Sequence, residues 1–357
     1  MKKKLIFFHL LNNFTGSPQV LRSVIETAVK AGYQIELYTS SAQGFLSGIS
    51  GIKYRRNYYK RYPNRWITLF TFFSSQLLLL GVLLRHLGEK SAFYTNTILP
   101  FSAIMAGRLM GKTVITHVHE NEVNPKILDR FLFWWVRHFS TKKIVVSDFL
   151  KSNPKLGNRE IHLLPNVVNA RISEKAAPVS WTSDTFTVLM LASLRPYKGI
   201  NDFVKLSNQL PQIRFILVLS DLEEEVVKWK NDLILGSNIE IFPVQEDVIP
   251  FYQKSHLLLN LAHPEHWLET FGMTVLEGFC FGLPAIVPTK GGVAELVEND
   301  VNGYKIDYID ANLIEGKIQD LAKNPELWER LSYGAFEASK KYSLPEFERK
   351  VIEILNS

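Results

Sequence analysis

Residues His263 to Pro288, reading HPEHWLETFGMTVLEGFCFGLPAIVP, constrain the fold more than any other stretch. His263 to Phe271 is polar and aromatic with a proline near its start, and reads as a loop. Gly272 to Phe281 is apolar at helical spacing through Met273, Leu276, Phe279 and Cys280, which predicts a helix. Gly282 suits the left-handed position just past a helix end, and Pro284 prevents continuation. Ala285, Ile286 and Val287 then read as a short buried strand. Loop, helix and strand in this order make half of a parallel α/β unit.

Two carboxylates punctuate the stretch, Glu269 in the loop and Glu277 in the helix. Between them Thr270, Phe271, Gly272 and Met273 must start the helix, so their backbone N–H groups lack partners within it. Such a helix start attracts phosphate, and an acid beside it accepts hydrogen bonds from sugar hydroxyls. A phosphate flanked by two hydroxyl-binding acids describes a nucleotide sugar.

Glu269, seven residues and Glu277, with Phe271-Gly272 inside, Gly282-Leu283-Pro284 after, and the later Gly291-Gly292-Val293-Ala294-Glu295-Leu296, resemble the Glu-x7-Glu signature of family 4 of the retaining glycosyltransferases. The resemblance implies an α/β chain of the GT-B fold, two Rossmann-like domains facing across a cleft. It also implies that Glu269 contacts the donor sugar and Glu277 the ribose hydroxyls.

A chain of 357 residues has room for two full cores, and 46% hydrophobic with 21% charged residues is a globular composition. The net charge of +6 suits an anionic ligand or membrane surface and does not require nucleic acid, for which no motif is present. The single cysteine, Cys280, lies on the apolar helix face and reads as a buried thiol in a reducing cytoplasm. The opening MKKKLIFFHLLNN imitates a signal peptide, but its apolar run is short and holds His9, so Lys4 to Phe8 reads as a first strand.

Asn12 to Ser17 is then a turn cluster, Pro18 to Ala31 a helix that Ser17 can cap, and Gln34 to Thr39 the next strand, a Rossmann-type opening. The family carries a glycine pair in this loop that approaches donor phosphate or acceptor. Here only Gly16 is kept, so a donor contact at Gly16 and a purely structural tight turn both stand.

Lys53 to Trp66 holds six basic residues, five aromatics and no acid, and Ile67 to Leu84 follows with eighteen uncharged residues. The second segment is long enough to span a bilayer, but it contains Thr68, Thr71, Ser74, Ser75 and Gln76 and reads as a buried crossover helix. The first reads as a solvated loop or as an interfacial patch for anionic lipid.

The strand Thr113 to His117 runs into His117-Val118-His119-Glu120. Polar residues at the carboxyl end of a parallel strand face the ligand crevice. His119-Glu120 matches the family's His followed by an acid, which makes His119 a contact near the donor sugar or acceptor. His117 and His119 share a face, but no third ligand stands at a telling spacing, so no metal is assigned.

In the second half, Phe186 to Ala192 reads as a strand and Ser193 to Gly199 as a loop with Arg195 and Lys198 at its tip. Two cations at a strand end suit a diphosphate: the Arg fork binds paired oxygens and the Lys adds a point charge. The family places the diphosphate leaving group there, and backbone contacts to the base near Val244.

The expected organisation is an acceptor-binding domain over 1–170, a linker over 171–184, a nucleotide-sugar-binding domain over 185–340, and a last helix over 341–357 that crosses back. The expected function is retaining transfer of a sugar from a nucleotide-diphosphate donor to a saccharide or lipid-linked saccharide in surface-polysaccharide synthesis. No cofactor is called for, and the lack of an Asp-x-Asp motif after a strand argues for metal independence. The expected location is the cytoplasm, peripheral on an anionic membrane face. A nucleotide-sugar epimerase of the same architecture and a non-catalytic nucleotide-sugar scaffold are the rival readings.

Overall fold

The computed structural model describes residues 3–181 and 185–357. Its contacts form two units, one running up to Val167 and including Pro345–Ser357, the other Val168–Leu344. Residues 182–184 of the expected linker lie outside the described residues. Of the rest, Ala170–Glu174 forms a short helix, capped by Asn169 Oδ1, which accepts from Ile172 N at 2.9 Å.

The first unit is built on strands Lys4–Phe8 (β1), Gln34–Thr39 (β2), Ile52–Arg56 (β3), Ser91–Asn96 (β4), Val114–Val118 (β5), Lys142–Val145 (β6) and Ile161–Leu163 (β7). They form one parallel sheet in the order β3-β2-β1-β4-β5-β6-β7. Helices Gly16–Lys30 (α1), Arg65–Leu83 (α2), Phe101–Leu109 (α3) and Lys126–Phe139 (α4) connect the strands. The near-continuous apolar run of β1 is buried, as expected for a strand covered on both faces. The final helix, Leu344–Asn356, packs Phe347, Val351 and Ile354 into this unit.

The second unit repeats the plan. Strands Thr187–Ala192 (β8), Arg214–Leu219 (β9), Ile239–Phe242 (β10), Leu257–Leu259 (β11), Ala285–Val287 (β12) and Gly303–Lys305 (β13) pair in parallel in the order β10-β9-β8-β11-β12-β13. Phe203, Phe215, Leu257, Ile286 and Trp328 are fully or almost fully buried among them. In each sheet the order reverses between the first and fourth strands, so each unit has one topological switch point, β1/β4 and β8/β11. Ligands of open parallel sheets bind outside the strand carboxyl ends at such points.

Several local expectations change. α2 is not a buried crossover helix. Phe72, Ser75, Gln76, Leu79 and Leu83 face inward, while Trp66, Phe70, Leu77 and, just past its end, Leu84 are more than 60% exposed. The basic segment before it is not all loop: Ile52–Arg56 pairs in parallel with β2 as the edge strand, where charged side chains suit the exposed position. α1 begins at Gly16 after Thr15, and Ser17 does not cap it. Gly16 is not among the glycines with positive φ, so its backbone needs no glycine. Two helices, Ala311–Lys323 and Pro325–Ser339, meet at Asn324, because Pro325 cannot continue a helix and Asn324 caps the new one through Leu327 N at 3.0 Å.

Candidate functional site

The β8/β11 switch point brings two sequence-distant loops together. After β8, Pro196–Lys198 makes a tight turn that ends at Gly199, whose φ is +77°. A side chain there would put its Cβ 2.2 Å from the carbonyl oxygen of Leu261, so the close approach of this turn to the end of β11 requires glycine. The turn is also fastened at its start, where Leu194 N donates to Asp221 Oδ2 at 2.5 Å.

The result is an ion pair between Lys198 Nζ and Glu269, both partly buried. Lys198 also lies over the Trp267 ring at 5.3 Å, and Trp267 stacks on Tyr197 at 5.5 Å. Glu269 is held from behind by a glycine turn: Gly292 N donates to its carbonyl at 2.6 Å. Gly291, with φ +97°, leaves no room for a Cβ, which would stand 2.8 Å from that same oxygen. The Gly291-Gly292 turn therefore positions Glu269 through its backbone. Arg195 is exposed, and its guanidinium has no partner among the described residues.

The helix predicted over 272–281 is Met273–Phe279, entered through Gly272 at φ +112°. Phe271 is buried against Tyr342. Glu277 is no surface charge: it is 9% exposed and accepts from Tyr252 Oη at 2.8 Å. Burial pushes its carboxyl up to about 7, and the hydrogen bond from Tyr252 offsets only part of that. Cys280, the residue just past that helix, is a buried thiol, raised to about 11 by burial. Val244 is exposed, its N–H donates to Asp221 O at 3.0 Å, and its carbonyl accepts from Gln245 Nε2 at 3.2 Å.

The β1/β4 switch point of the first unit carries a histidine cluster. His119 Nε2 lies 2.9 Å from Asn96 Oδ1. An amide oxygen can only accept, and the Asn96 orientation is fixed because its Nδ2 donates to Ser17 O at 3.1 Å. His119 therefore carries its proton on Nε2, leaving Nδ1 as an acceptor. Asn96 Nδ2 also reaches His9 Nδ1 at 3.1 Å, and His117 stacks on His119 at 4.2 Å with its Nδ1 2.9 Å from Tyr94 Oη. Burial holds His9 down at about 4 and His117 at about 3, and drives His119 well below the ordinary imidazole value. The cluster is neutral at pH 7. Glu120 Oε2 accepts from the N–H groups of His119 and Ile98 at 3.2 and 3.3 Å, and burial raises it to about 7. Among the described residues no group of three or more His, Cys, Asp or Glu is arranged to hold a metal ion.

Of the predicted residues, Arg195, Lys198 and Glu269 share one switch point, with Glu277 on the helix that follows Glu269. His119 and Gly16 belong to the other unit, where Ser17 rather than Gly16 joins the polar cluster. Sequence reasoning missed Tyr252, Asn96 and His9. Asn96 had a usable signal, a polar residue at the end of the short run Ser91–Asn96; Tyr252 had none.

The family model of glycosyl transferases group 1 matches residues 172–338. An uncharacterized glycosyltransferase of Methanocaldococcus jannaschii is 28% identical over 226 residues, 61% of this chain and 60% of that relative. The poly(glycerol-phosphate) alpha-glucosyltransferase of Bacillus subtilis is 23% identical over 171 residues, 46% of this chain and 25% of that enzyme. The chain thus spans less than two thirds of the length of these two relatives. The crystal structure of Anabaena HepE in complex with UDP and glucose superposes with a TM-score of 0.77 at 17% identity, covering 99% of this chain and 100% of that one. The likeness shows the fold: two Rossmann-like α/β domains of the GT-B type. Residues 172–338, within the second unit, thus resemble the glycosyl transferases of group 1.

Proposed function

We propose that the chain is a retaining, metal-independent glycosyltransferase of the Glu-x7-Glu type, which moves a sugar from a nucleotide-diphosphate donor to a saccharide or lipid-linked saccharide. The observation that carries this reading is the Lys198–Glu269 pair at the β8/β11 switch point, with Arg195, which has no partner among the described residues, on the same turn. An anionic diphosphate needs cations, and a sugar needs a fixed acceptor beside them. Arg195 and Lys198 stabilise the departing diphosphate, an effect of several kcal/mol when donors are preorganised. Glu269 holds the donor sugar, Glu277 the ribose, and Thr270 to Met273 with the Val244 backbone complete the nucleotide contacts. His119 serves the acceptor or the sugar as a neutral hydrogen-bonding ring.

The bond from the anomeric carbon to the diphosphate oxygen breaks, and the bond to the acceptor oxygen forms on the same face. The acceptor's proton passes to the leaving phosphate oxygen. No side chain is assigned as base or covalent nucleophile. The poly(glycerol-phosphate) acceptor in the name of the Bacillus subtilis relative favours surface-polymer synthesis, and the lone buried thiol favours a reducing cytoplasm.

The HepE complex makes UDP the first nucleotide to test, against GDP, ADP and dTDP, with and without EDTA. A ligand at a hundred times its dissociation constant adds about 2.7 kcal/mol of stability. Selective stabilisation by one diphosphate, retained in EDTA and lost in Arg195→Ala, is expected. A response to none of them, or turnover abolished by EDTA, contradicts the reading. Sugar release without an acceptor, with inversion at a ring carbon, would instead indicate the epimerase.

A further inference from the structure

We propose that the first unit docks on an anionic lipid bilayer through α2, which lies along the surface with its outer face in the lipid and the basic segment before it on the headgroups. This rests on the first unit alone and does not depend on the transferase reading.

α2 is apolar on both faces, which a helix on a water-facing surface is not. Its inner face buries Phe72, Leu79 and Leu83 together with Ser75 and Gln76, and Gln76 Oε1 accepts from Ser102 Oγ of α3 at 2.8 Å. Its outer face carries Trp66, Phe70, Phe73 and Leu77, with Leu84 in the turn that follows, at intervals of four, three, four and seven residues, which places them on one stripe. Ile67, Leu78 and Val82 widen the stripe, and all eight are classed as exposed. A surface helix normally turns charged and polar residues outward. Polar groups are buried here at a cost while eight large apolar side chains are left in water, so the outer face is built for an apolar medium. The stripe continues onto α4, where Trp134 and Ile127 are exposed and Phe131 meets Phe73 at 6.3 Å.

Charge identifies the medium. Between Glu36 and Glu89 the chain has no acidic residue and seven cations: Lys53, Arg55, Arg56, Lys60, Arg61, Arg65 and Arg85. Exposed Tyr58, Tyr62 and Trp66 lie under Arg56, Lys60 and Arg65 at 5.0, 5.3 and 5.2 Å. Aromatic rings beside cations at the end of an apolar stripe suit the headgroup layer. A second protein would need matching acids and would leave no reason for a helix apolar enough to cross a membrane, which α2 with its following turn is. It does not cross. Both of its ends connect to strands of one sheet, β3 and β4, and its inner face packs on α3. A helix so held lies in the interface plane.

The test is co-flotation of the full chain with vesicles of phosphatidylcholine alone and with 30% phosphatidylglycerol (about a typical anionic fraction). The protein should float with the anionic vesicles and not with the neutral ones. Lys60→Ser/Arg61→Ser/Arg65→Ser should weaken partition about a hundredfold, since each cation near the surface contributes about a factor of five. Phe70→Ser/Leu77→Ser, at exposed positions, should abolish flotation with an unchanged circular dichroism spectrum. Flotation indifferent to both variants overturns the proposal. So does a concentration-dependent dimer in sedimentation that Phe70→Ser/Leu77→Ser dissolves, because a second copy would then cover the stripe.

Discussion

At the scale of single residues, Arg195 and Lys198 separate binding from stability. Arg195 is exposed with no partner among the described residues, so Arg195→Ala should leave the unliganded stability within about 0.5 kcal/mol of the parent. Lys198 is paired with partly buried Glu269, and Lys198→Ala strands that carboxylate at a cost of about 1–3 kcal/mol. Both variants should lose the UDP response and about 10²–10³-fold in kcat; melts with and without UDP distinguish them. Glu277 gives a pH signature. Its folded carboxyl ionises near 7 against an ordinary 4.5, because of burial, so between those values the folded state holds a proton that the unfolded state has lost. Its contribution to stability is full below about 4.5 and is lost as pH rises to about 7, roughly 3 kcal/mol in all. Glu120 adds a component of the same sign, so the informative quantity is the difference between the parent and Glu277→Gln in denaturant titrations at pH 5 and 7.5. Parallel curves would contradict the assignment. The candidate acids and cations were legible because loop chemistry at strand ends leaves a local mark. The partners that set their state were not: Tyr252 reaches Glu277 across 25 residues, and Asn96 reaches His9 across 87.

At the scale of elements, α2 shows what periodicity conveys and what it does not. Its length, and Asn64 just ahead of it, are readable: Asn64 Oδ1 accepts from Trp66 and Ile67 N–H at 2.9 and 3.3 Å. Asn64→Ala should cost about 1 kcal/mol in chemical denaturation. Which face docks is not readable when nearly every residue is apolar, and the choice falls to contacts such as Gln76 with Ser102. The edge strand Ile52–Arg56 was hidden for a related reason. Its residues are charged on both sides of the pleat, a pattern that only an exposed edge tolerates. By contrast, Gly199 was visible as the end of a turn, although not the reason for it. Gly199→Ala must place a methyl on the Leu261 carbonyl and hold a left-handed backbone, so a loss of about 3 kcal/mol or more is expected. The same variant should displace Lys198 from Glu269, and UDP stabilisation should fall with it. A variant that melts like the parent would show that the β8 turn is not clamped to β11.

At the scale of the whole molecule, the chain is discontinuous: the first unit is completed by its last helix. Leu344–Asn356 buries Phe347, Val351 and Ile354, and its carboxyl end supplies Ile354 O and Ser357 Oγ to the buried ammonium of Lys142 at 3.1 and 2.8 Å. Lys30 pairs with Glu348 at 2.6 Å on the outside. Removing 345–357 exposes three apolar side chains, each worth about 1.5–3 kcal/mol, and strips most partners from a buried charge. Domains of this size are stable by about 5–15 kcal/mol, so the first unit should then melt far earlier or not fold. The second unit holds Arg195, Lys198, Glu269 and Glu277 within Val168–Leu344 and loses none of its own contacts. Calorimetry of a chain ending at Leu344 should therefore show the low-temperature loss of one transition, while UDP still raises the other. An unshifted first transition would mean that the helix is dispensable. Loss of the UDP response from an intact second transition would mean that the nucleotide needs more than the residues assigned to it.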